Sequence, residues 1–290
     1  MMTPVQVVQA QLDAYNAHDV EALCRIYASD AGQYQHPDTL LAAGSAAIRE
    51  RFAARFAAAS PRAELLHRIV TGRTVIDHEK VHSLGAEGPG YVELVAMYEV
   101  KEERIANAWF IFGAKTQLRT ATVADVATLE ALIARSGLGL SQGFYTEEQA
   151  AALTEHVYGV DTQLIEDRTY FIVERDGAAI AAGGWSKRAT LCGADKAKGP
   201  DDPELDPALQ PGRIRAFFVD PGHPRQGLAT LLLRHCEDAA RAAGFSALEL
   251  AATMPGVPFY RAAGYDSIER FKMTPGGVEV PLARMRKTIA

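Results

Sequence analysis

FFVDPGHPRQGLATLLLRHCEDAARAAGF, residues Phe217 to Phe245, is the stretch on which the reading of this chain turns. An apolar strand ends at Pro221, a loop carries Arg225-Gln226-Gly227-Leu228-Ala229, and an amphipathic helix begins at once and stops at Gly244. Small residues at Gly227 and Ala229 let backbone N–H groups approach an anion closely, and the helix N-terminus offers unpaired donors and a partial positive charge. That arrangement suits a diphosphate. Taken alone, the local pattern fits an ordinary strand-turn-helix with a glycine in its turn equally well.

Working outward, Ile214 to Val219 is the strand before the loop, Ala247 to Ala251 a strand after the helix, and PFYRAAGY a short helix ending at Gly264. A last strand lies near Pro281 to Thr288. Upstream, Tyr170 to Glu174 and Ala178 to Trp185 flank Arg175-Asp176-Gly177 as a hairpin. Between hairpin and loop, Ser186 to Gly212 has four prolines, many acids and no period, and reads as a functional loop or flap. LRTATVADVATLEALIARSG reads as a strand, a capping Thr122 or Asp125, and a helix. The pattern resets near Gly113 to Gln117, which puts a domain boundary there: residues 1–114 and 115–290.

The first part has amphipathic spacing over Pro4 to Asn16, a short helix from Asp19 to Tyr27, and a third helix over Ser45 to Ala58 with Ser45 as N-cap. Leu65 to Val70, Thr74 to His82, Tyr91 to Val100 and Arg104 to Phe112 follow as antiparallel strands. The fold class is α+β, three helices and a curved antiparallel sheet followed by a mixed sheet flanked by helices. A length of 290 residues suits two domains. A net charge of −6 argues against nucleic acid as a main partner, and no apolar run reaches a membrane span. The N-terminus lacks a secretory pattern, so a cytoplasmic location is expected. Cys24, Cys192 and Cys236 are too scattered for a disulfide framework or zinc knuckle, and no metal is expected.

With FFVDP, PRQGLA and FYRAAGY in order, the segment from about Gln117 to Ile289 resembles the GNAT superfamily of acyl-CoA N-acyltransferases. It departs from the signature at its first position, Pro224, where the family carries Arg or Gln and a polar contact to the cofactor. The resemblance implies acetyl-CoA as co-substrate and a small-molecule or peptide amine as acceptor. It implies that Phe217, Phe218 and Val219 present backbone groups to the pantetheine arm, and that Arg225, Gln226, Gly227, Leu228, Ala229 and Thr230 wrap the pyrophosphate. Tyr260 stands at the family's general-acid position; core packing is its other reading. Glu249 stands where some members carry a catalytic base, with a salt-bridged carboxylate, a water or Glu174 as the alternatives. For the acceptor, Asp195, Asp201, Asp202, Glu204 and Asp206 would suit a cationic amine, whereas Trp185 with Arg188, Arg213 and Arg215 would suit an anion.

VIDHEKVH, Val75 to His82, contains His-Glu-x-x-His, which on a helix makes two zinc ligands and a general base. Here β-branched residues and the bracketing Gly72 and Gly85 predict a strand, where positions four apart are about 13 Å apart at about 3.3 Å per residue. His78 and His82 therefore cannot share one metal. Three helices, this sheet, and QLDAYNAHDVEALCRIYASDA resemble the NTF2-like cone fold in its SnoaL-like branch, over about Thr3 to Phe112. That resemblance implies a conical cavity, with Tyr15, His36, Asp38, Trp109 and Phe110 as candidates to line it, and a homodimer through the open sheet face. It leaves a second functional reading, a binder or isomerase of hydrophobic ligands whose acyltransferase-like domain is regulatory.

Overall fold

The computed structural model describes residues 1–85, 88–139, 143–197 and 202–289. Two compact units divide the chain, Met1–Gln117 and Leu118–Ala290.

In the first unit, α1 (Pro4–Asn16) and α2 (Val20–Ile26) are followed by two strands, β1 (Tyr27–Gln35) and β2 (Thr39–Ala43). Then come α3 (Gly44–Ala58), β3 (Arg62–Thr71), β4 (Thr74–Gly85), β5 (Gly88–Lys101) and β6 (Arg104–Thr120). Strands β3 to β6 form an antiparallel meander, while β1 lies parallel to β6 and pairs β2 on its other edge. Thr3 and Gln6 close a capping box on α1, and Asp19 caps α2 as its spacing predicts. Ser45 does not cap α3: Ala43 holds that position without a side-chain bond, and the Ser45 hydroxyl donates instead to the Ser29 carbonyl. β1 and β2 have no counterpart in the sequence reading, because YASDAGQYQ is poor in strand-forming residues and is held in a strand by its neighbours.

Along β4 the buried residues are Val75, Asp77, Glu79 and Val81, and those between them face outward. The strand reading of VIDHEKVH holds, and it turns the central glutamate, not the histidines, toward the helices. His78 lies 3.7 Å from Glu93 and His82 lies 3.2 Å from Glu64, each a partly exposed pair. No group of three metal-ligating side chains occurs among the described residues.

The strand expected to end at Phe112 continues, since β6 runs to Thr120, while the two units divide at Gln117/Leu118. A Cβ at Gly113 would lie 2.8 Å from the Glu93 carbonyl oxygen, beside a register shift at Val92/Leu94. Gly113 therefore marks a bulge with close backbone approach, and not a strand end.

In the second unit, Thr122 and Asp125 form a capping box ahead of α4 (Val126–Gly139). Helices α5 (Glu147–His156) and α6 (Thr162–Glu166) precede the hairpin β7 (Tyr170–Arg175) and β8 (Ala178–Ser186). The remaining order is β9 (Gly212–Val219), α7 (Leu228–Ala242), β10 (Ala247–Thr253), α8 (Val257–Ala262), β11 (Asp266–Met273) and β12 (Val280–Thr288). The sheet runs β7-β8-β9-β10-β12-β11, antiparallel except between β9 and β10. One apolar layer joins Leu232, Leu233 and Cys236 of α7 to Phe171, Trp185 and Leu248; the other joins Leu129, Leu132 and Leu164 to Tyr170 and Ile172. Helices thus cover both faces, as a mixed sheet with parallel neighbours requires.

No described helix is long and apolar enough to cross a membrane.

Candidate active site

The parallel strands β9 and β10 pair only at Leu248↔Gly212 and Glu249↔Arg213. Beyond those two rungs they part, although β9 continues to Val219 and β10 to Thr253. On its other side β9 bulges against β8, where the register shifts between Ala182 and Gly184 and Ala216 takes φ 54°. The bulge and the parting strands leave the Phe217 backbone outside both ladders. A cavity of about 420 Å³ opens there, lined by Phe217, Phe218 and Val219 of β9, Ala251 to Thr253 of β10, and Phe259 and Tyr260 of α8.

Of the three β9 residues expected to face a pantetheine arm, all line the cavity. The Val219 N–H is already taken by the Ser136 hydroxyl of α4 at 3.2 Å, and the Ala216 carbonyl accepts from Tyr170. Gly183 makes room for the Phe217 ring, since a Cβ there would lie 2.6 Å from its Cδ2 atom.

At the other end, Gly227 caps α7 in a left-handed conformation (φ 81°) and offers no side chain to the first-turn N–H groups. Arg225 also takes a positive φ of 56°. Nothing lies within 4 Å of a Cβ built on Gly227, so the space before the helix is open. The Leu228 side chain is buried in the core, which leaves its backbone alone to face a ligand; Ala229 lines the cavity and Thr230 is exposed. Gln226 accepts a hydrogen bond from Arg175 at 2.6 Å, which holds the loop against β7. An uncapped helix start, a left-handed turn and an open approach fit a diphosphate.

Tyr260 is buried beside this groove, its ring centroid 6.3 Å from that of Phe217 and 5.8 Å from that of Tyr265. Burial pushes its phenol well above the ordinary tyrosine range, so it is protonated at neutral pH. The structure thus brings Tyr260 and the β9 residues to one cavity.

Glu249 is placed elsewhere. It is buried in β10 at the closed end of the β9–β10 pair, and Arg213, Arg284 and Arg286 surround it at 3.2, 2.6 and 3.4 Å. It does not line the cavity. Three guanidinium groups occupy the oxygens of this carboxylate, which leaves it no free approach to a substrate. Glu174 is also engaged, accepting from Arg119 at 2.6 Å. Among the described residues that line the cavity there is no carboxylate and no histidine.

Neither expected acceptor pocket is built from the named charges. Asp195 accepts from Thr162 N–H, Asp202 from Thr190 N–H and Asp206 from Ala208 N–H, while Glu204 pairs Lys187 at 2.6 Å. Asp201 lies outside the described residues. Arg188 is held by Asp167 and Arg215 by Asp161, and Trp185 is buried against Phe245. These described charges are engaged within the fold. The walls are instead apolar: Leu153 of α5 and Val157 just past its end, with Tyr158, Met273 and Leu282. Sequence reasoning passed over α5, although Thr146 and Gln149 in TEEQ form the capping box that signals a helix start.

The first unit has a cavity of its own, of about 570 Å³. Tyr15 and Phe110 line it; His36, Asp38 and Trp109 do not.

Comparison with known proteins agrees with this division. Residues 8–108 match the SnoaL-like domain family, and residues 140–265 match the acetyltransferase (GNAT) family. Among solved structures, the chain is similar to a GCN5-related N-acetyltransferase from Rhodopseudomonas palustris, at 20% identity over 59% of this chain and 94% of that one, TM-score 0.44. It is similar to a putative polyketide cyclase from Sinorhizobium meliloti, at 29% identity over 36% of this chain and 92% of that one, TM-score 0.32. A cystatin-fold protein from Novosphingobium aromaticivorans is similar at 23% identity over 38% of this chain and 99% of that one, TM-score 0.37. No curated protein matches the chain.

Proposed function

We propose, for a chain that joins a SnoaL-like domain to a GNAT acetyltransferase domain, that the second unit transfers an acetyl group from acetyl-CoA to the amine of a small molecule or peptide. The observation that carries the proposal is the groove where β9 and β10 part, which ends at Tyr260 and leads to the open start of α7. Acetyl-CoA would supply the thioester, its diphosphate held by backbone N–H groups from Arg225 to Thr230 and its arm running beside Phe217 to Val219. The bound amine attacks the thioester carbonyl, the new C–N bond forms as the C–S bond breaks, and the nitrogen gives up one proton to solvent. Tyr260 donates its phenolic proton to the departing sulfur and recovers one from solvent, so the products are an amide and a thiol. Because no described lining residue is a carboxylate or histidine, the amine reacts as the neutral form that arrives, favoured by the apolar walls.

The test is Tyr260→Phe in the full chain, with thiol release measured over a panel of amines. Loss of a general acid lowers turnover by about 10²-fold or more. Acetyl-CoA affinity by calorimetry should stay within about twofold, since the ring and its contacts remain. Unchanged turnover would remove Tyr260 from the acid role, and no acetyl-CoA binding by the unaltered chain would sink the reading.

Homodimer formation through the first unit's sheet is part of the same proposal, supported by Ile69 and Ile111, which are 62% and 50% exposed on its outer face. Light scattering that finds a monomer would count against it.

A further inference from the structure

The glutamate of His78-Glu79-x-x-His82 belongs to no group of three metal-ligating side chains among the described residues, and it lines the cavity of the first unit. We propose that this cavity is a second binding site, which takes a small amphipathic carboxylate with its charge on Arg51 and Arg55 and its apolar body along Leu12, Phe52, Val81 and Leu94. This inference is independent of the acyl-transfer reading.

The cavity is apolar over most of its wall, yet α3 sends two guanidinium groups to it from Arg51 and Arg55, one helical turn apart. Arg51 donates to Gln33 at 2.9 Å, and Arg55 hydrogen-bonds the Tyr15 hydroxyl. Both partners are neutral. No carboxylate pairs with either arginine among the described residues; the groups that act on the Arg51 charge are the phenols of Tyr15, Tyr27 and Tyr98 and the repelling Arg55. Burial correspondingly lowers the Arg51 pKa. Two uncompensated cations beside one apolar cavity favour an incoming anion, and a guanidinium fork matches a carboxylate in plane and spacing.

Glu79 supplies the second, independent observation. It is 5% exposed, and its Oε1 atom is buried without a hydrogen-bond partner. Charged and titratable groups face it from each neighbouring element: Asp77 on its own strand, Arg68 of β3, Tyr15 of α1, Tyr27 of β1 and Tyr98 of β5. Arg51 and Arg55 line the same cavity from α3, and Lys115 does so from β6. Arg68 is committed to Asp77 through two bonds of 2.7 Å, and burial keeps the phenols protonated. Burial, with the Asp77 charge second, pushes the Glu79 carboxyl up to about 7. Below that value the cavity holds the two arginine charges beside a neutral acid. Above it, Glu79 adds an anion of its own to the cavity wall, and like charge repels the ligand's carboxylate.

The experiment uses the full chain and 2-naphthoate as a fluorescent probe, with uncharged 2-naphthalenemethanol as its neutral match and saturating CoA present to block the other cavity. At a pH of about 6 the naphthoate should bind at least about tenfold more tightly than the alcohol. Its affinity should fall as pH rises through about 7. Glu79→Gln should abolish that fall. Arg51→Met should weaken naphthoate by about tenfold and leave the alcohol within about twofold; should that variant not fold, Arg55→Met and the Glu79→Gln pH profile serve in its place. Equal binding of acid and alcohol, an unaltered pH profile in Glu79→Gln, or no naphthoate binding would overturn the proposal. So would displacement of the probe by inorganic phosphate alone, which would mark a site for free anions and not for amphipathic carboxylates.

Discussion

Gly183 and Gly184 are adjacent in β8, and adding one methyl group to each should have opposite consequences. Neither has a positive φ, so alanine is allowed by the backbone and gains about 0.4–1 kcal/mol from a less flexible unfolded chain. At Gly184 the new Cβ would lie 2.6 Å from the Thr169 carbonyl oxygen and 3.2 Å from the Tyr170 Cα, and backbone cannot swing aside. Overpacking of that kind costs about 1–3 kcal/mol, leaving a net loss of about 1–2 kcal/mol. For a unit of this size about 1 kcal/mol moves Tm by about 2–4 °C, so Gly184→Ala should melt about 2–8 °C lower. At Gly183 the three atoms nearest the new Cβ all belong to the Phe217 ring, at 2.6 to 2.9 Å. That ring borders the cavity and can tilt into it, so the stability loss should be under about 1 kcal/mol. The tilt narrows the groove, and CoA affinity should fall about tenfold, or about 1.4 kcal/mol. Thermal unfolding with and without CoA reads both quantities, because ligand stabilisation identifies which transition belongs to the second unit. If Gly183→Ala binds CoA as tightly as the unaltered chain, the Phe217 ring does not set the groove's width and the reasoning fails.

Three further outcomes follow from buried charge and packing. Glu79 has its folded pKa raised from 4.5 to about 7, so the folded state holds the extra proton; this stability is full below the unfolded value and is lost as pH rises toward 7. Glu79→Gln should therefore raise stability relative to the unaltered chain by about 3 kcal/mol at a pH of about 8 and by little at about 4.5, measured by urea unfolding. Arg215 and Asp161 form an ion pair of 2.8 Å with side chains 2% and 0% exposed; Arg215→Met should cost about 3–5 kcal/mol by taking the guanidinium charge away from a buried carboxylate, and a cost under about 1 kcal/mol would show that water reaches the pair. Leu232→Ala on the buried face of α7 should cost about 2–5 kcal/mol in chemical denaturation, with the exposed Thr230→Ala in the same helix as a control near zero.

What the sequence made legible was whatever is written locally. α7 shows its apolar stripe, Gly227 the turn before it, Asp19 its cap, and VIDHEKVH its strand, because each depends on residues within one or two turns of itself. The SnoaL-like and GNAT resemblances rested on such local signatures, and the family matches agree with them. β1 and β11 were missed, because YASDAGQYQ and DSIERFKM take their strand form from pairing with β6 and β12 and carry little strand preference of their own. α5 was missed for the opposite reason: its capping box was legible in TEEQ and was not read.

The candidate site divides along the same line. Backbone elements of the groove were readable because a tight left-handed turn before a helix start requires particular small residues at fixed spacing. Side-chain roles were not, because the state of a carboxylate depends on groups distant in sequence. Glu249 is neutralised by Arg213, Arg284 and Arg286, 35 to 37 residues away in sequence, and nothing in ALELAA announces them. Glu79 shows the converse. Its motif drew attention to the two histidines as metal ligands, yet alternation along β4 sends them outward and turns the glutamate inward among Tyr15, Tyr98 and Asp77. A strand that buries its odd-numbered residues converts His-Glu-x-x-His from a pair of ligands into one buried acid. The chemistry of that segment follows from its period of two, and its charge state follows from the company the fold gives it.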